Sequence, residues 1–217
     1  LRSPMGNIPR LRRGDTLLLA THNSGKLSEF RELCAPLGLK LVSAGELGLP
    51  EPAETGTLYA ENAALKARAA TDATGLAAIA DDSGLAIDAL DGAPGLFTAD
   101  WAGNPRDFDA AMARVDRELT LRGVATTGAK AHFVSALALT FPEGSQQIFE
   151  GRVFGTLVWP PRGTKGFGYD PMFLPDGHHL TFGEMSAEEK HGLPPKGQGL
   201  SHRARAFMAL EKAVLAG

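Results

Sequence analysis

TLLLATHNSGKLSEFRELC, residues 16–34, opens with an apolar run of strand length over 16–20. It turns through Thr21-His22-Asn23-Ser24-Gly25 and continues as a helix expected to stop near Pro36 and Gly38. Strand and helix patterns go on alternating through the first half of the chain, which favours an α/β fold. Residues 39–42 read as a second strand, 45–56 as a Pro/Gly-rich connection, and 57–71 as a long helix with Tyr59, Asn62 and Lys66 on one face. Residues 76–80 read as a buried strand that delivers Asp81-Asp82-Ser83-Gly84 at its end, with a further short strand over 85–90. A helix is expected over 107–121, and two longer antiparallel β segments over 131–141 and 146–158. Residues 201–216 form an amphipathic helix with Phe207, Leu210 and Val214 on its apolar face.

The 217 residues allow a sizeable core without staples. A net charge of -3, from 22 basic and 25 acidic residues, argues against nucleic-acid binding through bulk positive charge. It leaves room for a locally basic pocket. The single cysteine, Cys34, excludes an internal disulfide framework and a multi-cysteine metal site, and points to a reducing, cytoplasmic compartment. No apolar run reaches the ~18 residues needed to span a membrane, so no membrane partner is expected. One domain is expected over 16–217, after an N-terminal extension over 1–15 whose first four residues, opening on leucine, read as cloning-derived.

Four constellations carry chemistry. The turn from Thr21 to Lys26 offers backbone N–H groups and the positive end of a helix to an anion, and Lys26 adds a full charge. An ordinary capped helix would share that string. No G-x-x-x-x-G-K-[ST] occurs, which removes a P-loop NTPase. Asp81 and Asp82 follow an apolar strand, and adjacent carboxylates are costly to bury unless a cation or several donors neutralise them. Mg²⁺ is the expected neutraliser, since it takes carboxylates together with substrate phosphate oxygens; a polar turn capped by Asp and Ser would read alike. Glu54 and Glu61 flank the long helix's start as candidates for a further metal ligand, Glu61 the weaker of the two.

In Gly166-Phe167-Gly168-Tyr169-Asp170-Pro171, glycines on both sides of Phe167 let the backbone bend and present the ring to a flat ligand. Ser201-His202-Arg203 opens the last helix, with Lys190 upstream: Ser201 caps it, while His202 and Arg203 point donors at a carbonyl or ring nitrogen. Basic residues sit poorly at a helix N-terminus, a misfit that favours function over a plain surface helix. His22, His132, His178, His179 and His191 show no zinc spacing. Nucleophile motifs are missing too, and Cys34 has no evident histidine partner.

Taken in order, LLLATHNSGK (17–26), AETG (53–56), ENAALKA (61–67), IADDSGLAIDAL (79–90), GAPG (92–95), GFGYDPMF (166–173), EEK (188–190) and SHRARA (201–206) resemble the inosine triphosphate pyrophosphatase family. The likeness runs from residue 16 to residue 215. It implies hydrolysis of ITP, dITP and XTP to the monophosphate and pyrophosphate with Mg²⁺, by a homodimer. It also implies an elongated mixed β-sheet flanked by helices, in two lobes with a nucleotide-binding cleft between them. By the same likeness Thr21, His22, Asn23, Ser24, Gly25 and Lys26 would hold the triphosphate, with Lys66 adding charge. Asp82 would be the metal-linked general base, with Asp81 beside it and Glu54 completing the metal site. Ser83 would join the substrate site, Phe167 with Gly168 and Tyr169 would form the stacking turn, and Asp170, Lys190, His202 and Arg203 would contact the purine's edge. Two departures stand out: Asp100 replaces the arginine usual after GAPG, and residues 191–200 are longer than in many relatives. A pyrophosphatase of different base preference, and a nucleotide-binding module without catalysis, are the alternatives; Lys26, Lys66, Asp81 and Asp82 together argue against the second.

Overall fold

A computed structural model describes residues 9–214. Six strands form one mixed sheet in the order β2-β1-β3-β4-β5-β6: β1 (Thr16–Leu19), β2 (Lys40–Ser43), β3 (Ala77–Ile87), β4 (Lys130–Thr140), β5 (Gln146–Leu157) and β6 (Phe173–Pro175). β1 pairs parallel with β2 and β3, and the remaining neighbours are antiparallel. Five α-helices accompany it: α1 (Ser24–Cys34), α2 (Tyr59–Thr74), α3 (Phe108–Leu121), α4 (Ala187–His191) and α5 (His202–Val214).

Period-two alternation divides the sheet's residues between its faces. Leu18, Ala78, Ala80, Ala136 and Ala138 meet Ala63, Ala67 and Ala70 of α2, whose small side chains let that helix lie close. Leu17, Leu19, Ile79, Leu137 and Leu139 point the other way, into Phe30 and Leu33 of α1 and Phe207, Leu210 and Val214 of α5. Leu11 joins this second core, and its N–H donates to the Val214 carbonyl at 3.0 Å. The far ends of the long strands build a third core, where Leu85, Ile87, Phe133 and Val153 pack with Met112, Val115 and Leu119 of α3 and with Phe173 and Phe182.

β6 and α4 were not expected, and β3 differs from expectation. Residues 77–87 are a single strand, not two strands flanking a polar turn. Asp81, Asp82, Ser83 and Gly84 pair in register with Leu137, Ala136, Ser135 and Val134, so the acidic pair lies mid-strand. The first four residues of the chain lie outside the described residues. Among the described residues no helix is long and apolar enough to cross a membrane.

Candidate active site

Because β3 is continuous, Asp81 follows the parity of Ile79 and faces α1 and α5, whereas Asp82 follows Ala80 and faces α2. Asp81 is fully enclosed. Its carboxylate pairs with Lys26 at 2.8 Å and Arg203 at 3.1 Å, and accepts from the hydroxyls of Ser83 and Ser135. Burial alone would raise its pKa, but Arg203 and Lys26 outweigh burial and hold it well below the usual carboxylate range. Asp82 meets a different environment. Lys66 approaches it at 3.3 Å, the Asn62 amide donates to it at 3.3 Å, and Lys66 also pairs with Glu54 at 2.5 Å. Burial pushes the Asp82 pKa up; Lys66 opposes this and Glu54 reinforces it. Burial lowers the Lys26 pKa, with Lys66 and Arg203 acting in the same direction against Asp81.

Thr21 and Asn23 build the turn ahead of Lys26. The Thr21 hydroxyl accepts from the Asn23 N–H, and the Asn23 side chain caps α1 by accepting from the Lys26 N–H at 3.0 Å. The Phe167 ring lies directly over Gly25: a Cβ there would sit 2.6 Å from ring carbons. Phe167 is presented by flanking glycines at positive φ, 71° at Gly166 and 65° at Gly168. Asp170 fixes the turn by accepting from the Phe167 N–H at 3.0 Å and pairing with Lys190 at 2.7 Å. The Lys190 ammonium and the Arg203 guanidinium lie 5.0 and 5.8 Å from the centre of the Phe167 ring. One buried carboxylate, Glu29 of α1, bridges both cations. His202 stacks on Phe133 at 4.8 Å. Burial, then Arg203 and Lys190, depress its pKa well below the ordinary histidine value, so the ring is neutral at neutral pH. His202 Nδ1 and Arg203 Nε are buried without a hydrogen-bond partner among the described residues.

One cavity of about 400 Å³ is lined by Thr21 and Asn23, by Lys66 with Glu54 and Asp82, and by Phe167, Asp170, Lys190 and His202, with the Lys26–Asp81–Arg203 ion pairs joining these groups. Residues 17–213 match the Ham1 family. The chain belongs to the Ham1 family. A Rhodopseudomonas palustris protein called dITP/XTP pyrophosphatase is 60% identical over 202 residues, covering 93% of this chain and 96% of its own. A Zymomonas mobilis protein of the same name is 54% identical over 199 residues, covering 92% and 91%. Among solved structures, a HAM1 protein from Coxiella burnetii superposes with a TM-score of 0.77 at 35% identity, covering 91% of this chain and 97% of that one. A nucleoside-triphosphatase / dITP/XTP pyrophosphatase from Mycobacterium abscessus gives 0.66 at 39% identity, covering 90% and 98%.

Within this Ham1-family chain the expected site residues take distinct places. Strand alternation turns Asp81 to the opposite face of β3 from Asp82, where two cations and two hydroxyls take up its oxygens. Among the described residues no group of three or more His, Cys, Asp or Glu side chains gathers as a metal cage. Lys26 and Arg203 pair with Asp81, and Lys66 pairs with Asp82. The Asp170 carboxylate serves the Phe167 turn and Lys190, although the residue lines the cavity. His22 and Ser24 are exposed, and His22 bonds the Leu49 carbonyl at 2.8 Å on the outside of the turn.

Ser83 and Gly168 line the cavity, as does Tyr169, whose hydroxyl donates to the Thr98 carbonyl at 2.8 Å. Asp100, the charge-reversed position, sits on the cavity's exposed rim with Arg106. Despite the longer 191–200 segment, Lys190 is buried between Glu29 and Asp170. Glu61 accepts from the Thr57 and Leu58 N–H groups at the start of α2 and does not line the cavity. Sequence reasoning missed Glu29 and Ser135. A glutamate inside a helix reads as solvated, and a serine inside a strand carries no signal. Cys34 is buried with its thiol pKa pushed up to about 12, unfit as a nucleophile.

Proposed function

We propose that this chain is a cytoplasmic, homodimeric nucleoside triphosphate pyrophosphatase that converts ITP, dITP and XTP to the monophosphate and pyrophosphate. The observation that carries the reading is the shared cavity, with ammonium groups and a basic carboxylate at one end and an aromatic face ringed by donors at the other. A purine lies against Phe167. Lys190, Arg203 and the neutral His202 present N–H groups to its edge, and the unpartnered donors suit a ligand rich in acceptors. Hypoxanthine and xanthine carry a 6-oxo acceptor there. Adenine's 6-amino group would set donor against donor and leave the buried N–H groups unpaired, which is the kind of mismatch that gives large discrimination.

The triphosphate then reaches Lys26 and Lys66. Water attacks the α-phosphorus, the Asp82 carboxylate takes its proton, the bond from the α-phosphorus to the bridging oxygen breaks, and pyrophosphate leaves. The upward-shifted pKa of Asp82 makes it the stronger base of the acidic pair. Asp81, locked by Lys26 and Arg203, holds the two ends of the site in register.

Mg²⁺ fits this donor set. Asp82 and the 38%-exposed Glu54 side chain converge on Lys66, and two carboxylates completed by phosphate oxygens and water are what the ion prefers. Bound there, it would supply charge neutralisation on the phosphates. The reading is tested by supplying ITP, XTP, ATP and GTP with Mg²⁺ and assaying pyrophosphate. Faster release from ITP and XTP supports it, whereas equal rates on all four, or orthophosphate as the only product, would refute it. UTP or dTTP outrunning ITP would favour a pyrophosphatase of other base preference. Light scattering that gives a monomer would remove the homodimer alone.

A further inference from the structure

α1 carries a row of charged residues behind its Lys26, which lines the cavity. Its first turn carries Lys26, the next carries Glu29, and Glu32 follows three residues on as the neighbour of Glu29. Two consecutive residues closing α4 grip those two acids. Lys190 Nζ pairs with Glu29 Oε1 at 2.5 Å, and His191 Nε2 meets Glu32 Oε2 at 2.6 Å. The His191 side chain is only 6% exposed, and its Nδ1 lies 3.9 Å from the same Glu29 oxygen that takes Lys190, with no hydrogen-bond partner among the described residues. A ring donating to Glu32 from one nitrogen therefore turns its other nitrogen to Glu29.

We infer that His191 and Glu32 form a clasp between α4 and α1 that fixes Lys190 and Arg203 against the purine, which makes His191 a positioning residue for base recognition. The inference rests on the proposed function. Glu29 is the coupling element: one of its oxygens takes Lys190 and the other takes Arg203, so any rotation of that carboxylate moves both cations relative to Phe167. The clasp reaches α5 as well. The Ser201 N–H donates to the Lys190 carbonyl at 2.8 Å, and the intervening loop closes on itself through Gly199 N–H to the Gly192 carbonyl at 2.8 Å. Lys190-His191 and His202-Arg203 are thereby tied across a ten-residue excursion.

The clasp acts through geometry more than through field. Glu29, Asp81 and Asp170 balance Lys26, Lys190 and Arg203 among the buried charges, and the His191–Glu32 pair adds one acid and one base outside that set. Glu32 is half exposed, so Glu32→Gln removes the charge of one partner without burying a new group.

Steady-state kinetics with ITP and ATP decide the matter. His191→Ala and Glu32→Gln should each raise KM for ITP by about five- to tenfold, the effect of losing one charge-assisted hydrogen bond. The kcat should stay within about twofold, and the preference for ITP over ATP should fall by a similar factor to KM. His191→Gln, whose amide nitrogen reaches Glu32 as the ring nitrogen does, should recover most of the loss. A purely structural role would lower Tm and the active fraction while leaving KM and the preference at parent values, and that result overturns the clasp. Should His191→Ala not fold, Glu32→Gln alone decides. A parent protein that releases no pyrophosphate from ITP overturns the functional reading, and this assignment with it.

Discussion

Strand geometry gives Asp81 and Asp82 different partners and therefore different consequences when each is altered. Asp82 faces Lys66 and Asn62 with its pKa raised by burial, so Asp82→Asn should lower turnover by about 10²–10⁴-fold while calorimetric binding of ITP largely survives. A variant that turns over at the parent rate would assign the base elsewhere. Asp81→Asn instead takes the carboxylate from buried Lys26 and one of the two carboxylates from Arg203, and should cost about 3–5 kcal/mol in urea unfolding. The pH dependence follows from the same contrast. The base works only when ionised, so kcat/KM should climb as pH rises through the Asp82 pKa, along a limb displaced upward from the ordinary carboxylate range. A limb at or below that range would contradict the assignment. At this scale the sequence showed which side chains bear chemistry but not which of them neutralise one another. Glu29 meets Lys190 and Arg203 across separations of 161 and 174 residues, and no local pattern reports contacts of that span.

Among the elements, β1, α1, α2, α3 and the β4–β5 hairpin were legible because apolar periodicity and capping residues mark them. Asn23 and Asp107 cap their helices with the side chain, and Gly38 stops the turn after α1 in the left-handed conformation. β3 was not, because Asp-Asp-Ser-Gly reads locally as a turn, and only pairing with β4 and long-range neutralisation keep it extended. Gly84 shows how tightly that strand receives the cavity wall. A Cβ there would run into the Gly95 carbonyl oxygen and lie 2.7 Å from the Tyr59 hydroxyl and 2.8 Å from Thr98 Oγ1. Thr98 also accepts from the Leu85 N–H, and the same turn carries Leu96, Ala99 and Asp100 along the cavity. Gly84→Ala should displace it, costing about 1–3 kcal/mol and raising KM for ITP. Thermal unfolding and steady-state kinetics check this, and an alanine variant with parent Tm and KM would show that the wall tolerates the methyl group.

Across the whole molecule, a net charge of -3 coexists with a cavity where three lysines and two arginines converge among six carboxylates, so local placement of cations rather than bulk charge is what a polyanion would meet. α1 sets the spacing of the two ends, since it carries both Lys26 and the Glu29 that holds Lys190 and Arg203. The central claim is that one nucleotide spans that distance. A crystal structure of the Asp82→Asn variant with ITP and Mg²⁺ tests it most directly. The account predicts hypoxanthine flat on Phe167 with its 6-oxo group at Arg203, Lys190 or His202, and the triphosphate at Lys26 and Lys66. A base bound away from Phe167, or phosphates directed out of the cavity, would contradict it.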